Sequence, residues 1–207
     1  MIRAHHTRFH SWFFKWYSRL MIRSHFRGMR LHGSFQDNGN AVLVIGNHFS
    51  WWDGFFIVEV NRRLWQRRFH VMMLEEQLRK RMFLNKTGAF SVRKGHRSLS
   101  ESLAYAGQLL SEPENLLLMF PQGAIQPHHN TSFTFERGLE AILKKAAVPP
   151  QIVFTAALVE YFSHRKPQLD IFIKKYSYKQ IPTTQELQEQ YNLFFAEALK
   201  KLDSTPE

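Results

Sequence analysis

What most restricts the architecture of this chain is a series of short, almost unbroken apolar runs set among longer stretches of helical periodicity. Residues 41–46 read Ala-Val-Leu-Val-Ile-Gly, residues 115–120 enclose Leu116-Leu117-Leu118-Met119, and residues 151–159 form a third run. A strand that is apolar on both faces needs cover on both, which points to parallel pairing with helices above and below. Weaker patterns mark an edge strand at 30–35, a further core strand at 67–74 and an alternating strand at 168–174. Helical stretches fall at 55–60, 75–82, 98–110, 139–146 and 183–202; in the last, Leu187, Tyr191, Phe194, Phe195, Ala198 and Leu202 recur at helical spacing. The succession predicts an α/β fold: a single domain with a mainly parallel mixed sheet flanked by helices. A length of 207 residues, 44% of them hydrophobic, suits one sizeable core better than two.

Ahead of this domain, residues 9–26 predict an amphipathic N-terminal helix. At about 100° per residue, Phe13, Phe14, Tyr17, Leu20 and Met21 share a face, while Arg8, Lys15, Arg19, Arg23 and Arg27 line the opposing sector. Trp12 and Trp16 lie near the boundary. Such a helix suits a membrane interface, with cations toward headgroups and rings in the acyl boundary. It equally suits a first helix laid on the domain core, and one helix can do both. The expected division is therefore 1–28 as an interfacial helix and 29–207 as the α/β domain.

Lys and Arg number 28 against 17 acidic residues, a formal charge of +11. This excess predicts an anionic partner: an anionic membrane surface, an acidic carrier protein or nucleic acid. No zinc-ligand spacing or aromatic RNA-binding box accompanies the charge, so nucleic acid is not the expected partner. With no Cys, a disulfide framework and a thiol nucleophile are both excluded. No apolar run approaches the roughly 18–20 residues that span a bilayer, and the first apolar patch is too rich in Arg, Lys and His for a secretory signal. The expected place is the cytoplasmic side, soluble or peripheral to a membrane.

The chemistry is expected at Asn47-His48-Phe49-Ser50-Trp51-Trp52-Asp53-Gly54, which leaves the carboxyl end of the first apolar strand, where open α/β sheets keep their sites. Asp53 lies where the loop turns into a helix, so its carboxylate can bend back to the imidazole, fix its tautomer and support His48 as a general base. The plainer reading is that both residues cap the helix. Ser50 lacks the Gly-x-Ser-x-Gly surroundings of a nucleophile. In residues 85–95 the glycines Gly88 and Gly95 with three cations, Lys86, Arg93 and Lys94, outline an anion pocket, unless Arg93 simply faces solvent at a strand end. Glu75 and Glu76 read as a solvated first helical turn, and His128 and His129 as loop histidines.

Asn-His-x-Ser-x-x-Asp resembles the first motif of the glycerolipid acyltransferase family, the HX4D motif of lysophosphatidic acid acyltransferase-like proteins. Three later segments resemble that family in order: Gly88-Ala89-Phe90-Ser91-Val92-Arg93, Phe120-Pro121-Gln122-Gly123, and Val148-Pro149-Pro150-Gln151-Ile152-Val153. The resemblance spans most of residues 30–157. It implies acyl transfer from a thioester, acyl-coenzyme A or acyl carrier protein, to a hydroxyl of a lysophospholipid or other lipid-like acceptor. No cofactor or metal is implied beyond that co-substrate. His48 would be the base and Asp53 its partner; Arg93, Gln122 and Gly123 would face the acceptor, and the fourth motif would help shape the acyl site. The chain departs from the family's Phe-Pro-Glu-Gly-Thr-Arg at Gln122, Ala124 and Ile125, losing an acid and a cation. One lost cation weakens a phosphate contact by about 1.5–3 kcal/mol, which argues against a simple glycerol phosphate acceptor. Arg137, in Phe133-Thr134-Phe135-Glu136-Arg137-Gly138, is the candidate replacement. A catalytically silent lipid-binding module of the same fold is the rival reading, and a basic nucleic-acid binder rests on charge alone.

Overall fold

The computed structural model describes residues 1–95 and 97–204. Seven strands run in chain order as β1 (Gly28–His32), β2 (Val42–Gly46), β3 (Arg68–Leu74), β4 (Ala89–Val92), β5 (Asn115–Met119), β6 (Gln151–Glu160) and β7 (Gln168–Tyr176). Six α-helices accompany them: α1 (Arg8–His25), α2 (Asp53–Leu64), α3 (Glu75–Lys80), α4 (Ser98–Leu109), α5 (Leu139–Lys145) and α6 (Thr184–Asp203). The strands form one sheet in the order β1-β7-β6-β2-β5-β3-β4. All neighbours are parallel except β6 and β7. The expected single α/β domain with a mainly parallel mixed sheet is the observed one.

The apolar runs are explained by the two halves of the core. Val42 and Val44 of β2, with Leu116 and Leu118 of β5, face α1 and α2. Leu43 and Ile45, with Leu117, face the other way, toward α4, α5 and α6. Successive side chains point to opposite faces, so a central strand covered on both must be apolar throughout. Helix α6 begins with a capping box, in which the Thr183 hydroxyl accepts from the Glu186 amide and the Glu186 carboxylate accepts from the Thr183 amide. It buries the six residues that the spacing selected.

Helix α1 differs from expectation in the face it buries. Phe14, Ser18 and Ile22 pack inward, with Phe14 5.2 Å from the Phe55 ring of α2, whereas Phe13 and Leu20 are exposed together with Phe9, Trp12 and Trp16. The narrow buried strip admits Ser18 because its hydroxyl donates to the Phe14 carbonyl at 2.7 Å. A broad aromatic stripe therefore points away from the domain.

Residues 2–7 lie along β4. The Ile2 amide donates to Ser91 Oγ (2.7 Å), the Ser91 amide to the Ile2 carbonyl, and the His5 and Thr7 amides to the Asn85 and Lys86 carbonyls. His6 Nε2 donates to the Phe69 carbonyl at 2.9 Å. Gly88, at φ +113°, makes room for that ring: a Cβ there would come within 2.6 Å of His6 Nε2. The chain then crosses by α1 to β1, at the other edge of the sheet.

Candidate active site

The carboxyl ends of β2 and β5 deliver two loops to one place. His48 follows β2 and its Nδ1 lies 2.7 Å from Asp53 Oδ2. The same carboxylate oxygen accepts the amides of Phe49 (2.8 Å) and Ser50 (3.0 Å), so the turn is wound around Asp53. Because an ionised carboxylate only accepts, this contact places the proton on Nδ1 and leaves Nε2 as the free acceptor of the ring. Asp53 is 2% exposed. Burial pushes its carboxyl above the usual range, while the His48 ring and the two amides pull in the opposite direction.

The ring is set from its other side by Phe120, stacked on it at 4.3 Å and 11°. It is not sealed: the His48 side chain keeps 23% of its surface. Beneath the loop, the Asn47 amide group exchanges two hydrogen bonds with the Ala157 backbone of β6, each 2.9 Å. The site is thus an imidazole oriented by a buried carboxylate and open on one edge, an arrangement able to take a proton from an alcohol or thiol.

Gln122 is buried, and its Oε1 accepts the His48 amide at 2.9 Å. The Gln126 amide in turn donates to the His48 carbonyl at 2.9 Å. The side chain expected to face an acceptor hydroxyl is therefore turned toward the backbone of His48, clamping the two loops. Gly123 has φ +69°, and a Cβ there would lie 2.6 Å from Glu136 Oε1 and 2.7 Å from Lys94 Nζ. Lys94 donates to both Glu136 and the Gly123 carbonyl. The sequence placed Lys94 with Arg93 in an anion pocket, but not its partners Glu136 and Gly123, which lie 42 and 29 residues away.

Arg93 points instead to Glu75, 2.7 Å away. Glu75 is not a solvated helix-start residue: it is buried, and Arg79 holds it from the next turn at 2.8 Å. The reason is that α3 begins directly against β4, whose Ser91 also reaches Glu75 at 3.4 Å. Hydrogen bonds from Arg79 and then Arg93 hold the Glu75 carboxyl down at about 2. A carboxyl whose folded value is depressed lends stability above its unfolded value of 4.5 and loses it as pH falls toward about 2. Glu75→Gln should accordingly lower the urea midpoint at neutral pH and flatten the acid decline between those two values; an unchanged acid limb would contradict it.

Arg137 does not join this group. It is exposed and lines a groove with Glu140 and Lys144 of α5 and Gln185 and Gln188 at the start of α6. The fourth motif also lies elsewhere: Pro149 and Pro150 enter β6 beside the beginning of β2, the end of the sheet opposite His48. Only the far end of β6, at Ala157, reaches the site. His128 approaches Phe49, with ring centroids 6.4 Å apart.

A model of the Acyltransferase family matches residues 28–159, more than half of the chain. Comparison with curated proteins gives no match. Among solved structures, the chain resembles the 1-acyl-sn-glycerophosphate (LPA) acyltransferase PlsC from Thermotoga maritima, with a TM-score of 0.58 at 15% identity, over 94% of this chain and 80% of that one. At that identity the likeness speaks for the fold.

Proposed function

Because the chain belongs to the acyltransferase family, we propose that it moves a fatty acyl group from an acyl thioester to a hydroxyl of a lipid-like acceptor. The observation that carries this reading is the 2.7 Å contact between His48 Nδ1 and the buried Asp53. His48 Nε2 takes the hydroxyl proton as the oxygen attacks the thioester carbonyl, Asp53 stabilises the imidazolium, and the proton passes to the departing thiolate. Backbone amides near Gly123 steady the oxyanion. The donor is acyl-coenzyme A or acyl carrier protein, the latter matched by the excess of basic residues.

Arg93 is half-exposed and offers the acceptor the N–H groups that Glu75 leaves unused. With Arg93 shared with Glu75, Lys94 with Glu136, and Gln122 spent on His48, the acceptor is a lysophospholipid or hydroxylated lipid other than a simple glycerol phosphomonoester.

Residues 1–28 act as the interfacial element and 29–207 as the catalytic domain, peripheral to the cytoplasmic face of a membrane. Support comes from the exposed rings of α1 and from Trp51, exposed three residues after His48 and 4.9 Å from Phe55, against which α1 packs. Among the described residues no helix is long and apolar enough to cross a membrane. The test is incubation of the protein with both thioester donors and a panel of lyso lipids, followed by thiol release and mass spectrometry of the lipids. New ester with stoichiometric thiol is expected; vesicle binding with no turnover on any acceptor would replace the enzyme by a silent lipid-binding module.

A further inference from the structure

Away from the His48 loop, α1, α2 and the start of β1 enclose a groove whose walls carry five arginines, Arg19, Arg23, Arg27, Arg62 and Arg63, against a single acid, Glu59. Glu59 is 1% exposed and both of its oxygens are taken. Arg62 holds it twice at 2.8 Å, and Arg63 once at 2.8 Å. One acid thus fixes two guanidinium groups in place and leaves the groove with four uncompensated positive charges. Arg19, Arg23 and Arg27 are exposed, and no side-chain partner is recorded for them among the described residues. Five converging guanidinium groups, two of them preorganised, form a receptor for the tetrahedral oxygens of phosphate.

Its position selects the source of that phosphate. On α1, Arg19 lies between the buried strip of Phe14, Ser18 and Ile22 and the exposed stripe of Trp12, Trp16 and Leu20, Arg23 lies at the edge of that stripe, and Arg27 follows two residues after the helix ends. With the stripe in the acyl boundary, these arginines lie at headgroup depth. Phe26, in the groove wall, packs edge-on against Trp52, the residue before Asp53, so the groove borders the element that carries the catalytic loop. We propose that this groove binds the phosphate headgroup of an anionic phospholipid, holding the protein on the bilayer in one orientation. The proposal rests on the membrane association put forward above.

The experiment compares vesicles of phosphatidylcholine with and without phosphatidylglycerol at constant ionic strength, using the whole chain. The variant Arg19→Gln/Arg23→Gln/Arg27→Gln should bind the anionic vesicles roughly a hundredfold more weakly and the neutral ones as wild type does. A control of equal charge, Arg165→Gln/Lys179→Gln/Lys200→Gln, removes exposed cations outside the groove. A loss in the control equal to that in the groove variant would overturn the site in favour of diffuse charge. Should the triple variant fold poorly, Arg23→Gln alone carries the test, with roughly a fivefold loss. Soluble coenzyme A that binds wild type but not the groove variant, without vesicles, would reassign the groove and overturn the lipid headgroup. His48→Ala should bind vesicles as wild type does, so failure of the groove and failure of the acyl-transfer reading are seen separately.

Discussion

His48→Ala should stay folded and lose roughly 10²–10⁴-fold in the rate of acyl transfer, the range that a positioned general base supplies. The ring is partly exposed and its neighbours are self-sufficient: Gln122 and Gln126 hold the His48 backbone, which the substitution keeps, and Asp53 retains the Phe49 and Ser50 amides. The structural loss is one stacking contact with Phe120 and one hydrogen bond, about 1–2 kcal/mol in all. Thiol release at saturating donor, set beside a thermal melt, separates the two effects. Turnover within tenfold of wild type in a folded variant would remove His48 from the chemistry.

Asp53→Asn should divide activity from stability in opposite directions. The carboxyl is buried, with Oδ1 lacking any recorded partner, and burial raises its folded value above the ordinary 3.8. A group raised in this way favours folding below its unfolded value and loses that contribution as pH rises through the folded value, so at neutral pH the charge is a cost. The isosteric amide removes that cost while its oxygen still accepts the two backbone amides. That oxygen also keeps the Nδ1 proton of His48, so the NH₂ takes the place of Oδ1 and the ring loses the negative charge that stabilises its imidazolium. Expected are a melting temperature at neutral pH no lower than that of wild type, a smaller decline in stability from about pH 4 upward, and a fall in kcat of up to about 10⁴-fold. Near-normal kcat in Asp53→Asn would show that the negative charge of Asp53 takes no part in the chemistry.

Much of the fold was legible because the relevant signals are local. The double-sided burial of β2 and β5 is written in their unbroken apolar runs, and the face of α6 in its spacing. The His48 and Asp53 pairing was legible for the same reason, since the partners stand five positions apart in one turn. What escaped depends on distant partners. Gln122 meets His48 across 74 residues, and Glu75 meets Arg93 across 18, so a buried carboxylate looked like an ordinary acidic helix start. On α1 several faces were hydrophobic enough to bury, and Phe55 of α2 decided among them.

The path of the first thirty-two residues, from beside β4 over α2 to β1, has a consequence for how the molecule is made. Gly28 pairs with Gln168 and Ile2 with Ser91, so both segments are translated well before their partners, in β1's case by 140 residues of further synthesis. Until α2 is made, the helix has nothing of its own chain to rest on, and five of its aromatic and aliphatic side chains stay uncovered afterwards. Such a nascent chain has reason to meet the lipid surface, or a chaperone, before its sheet is closed.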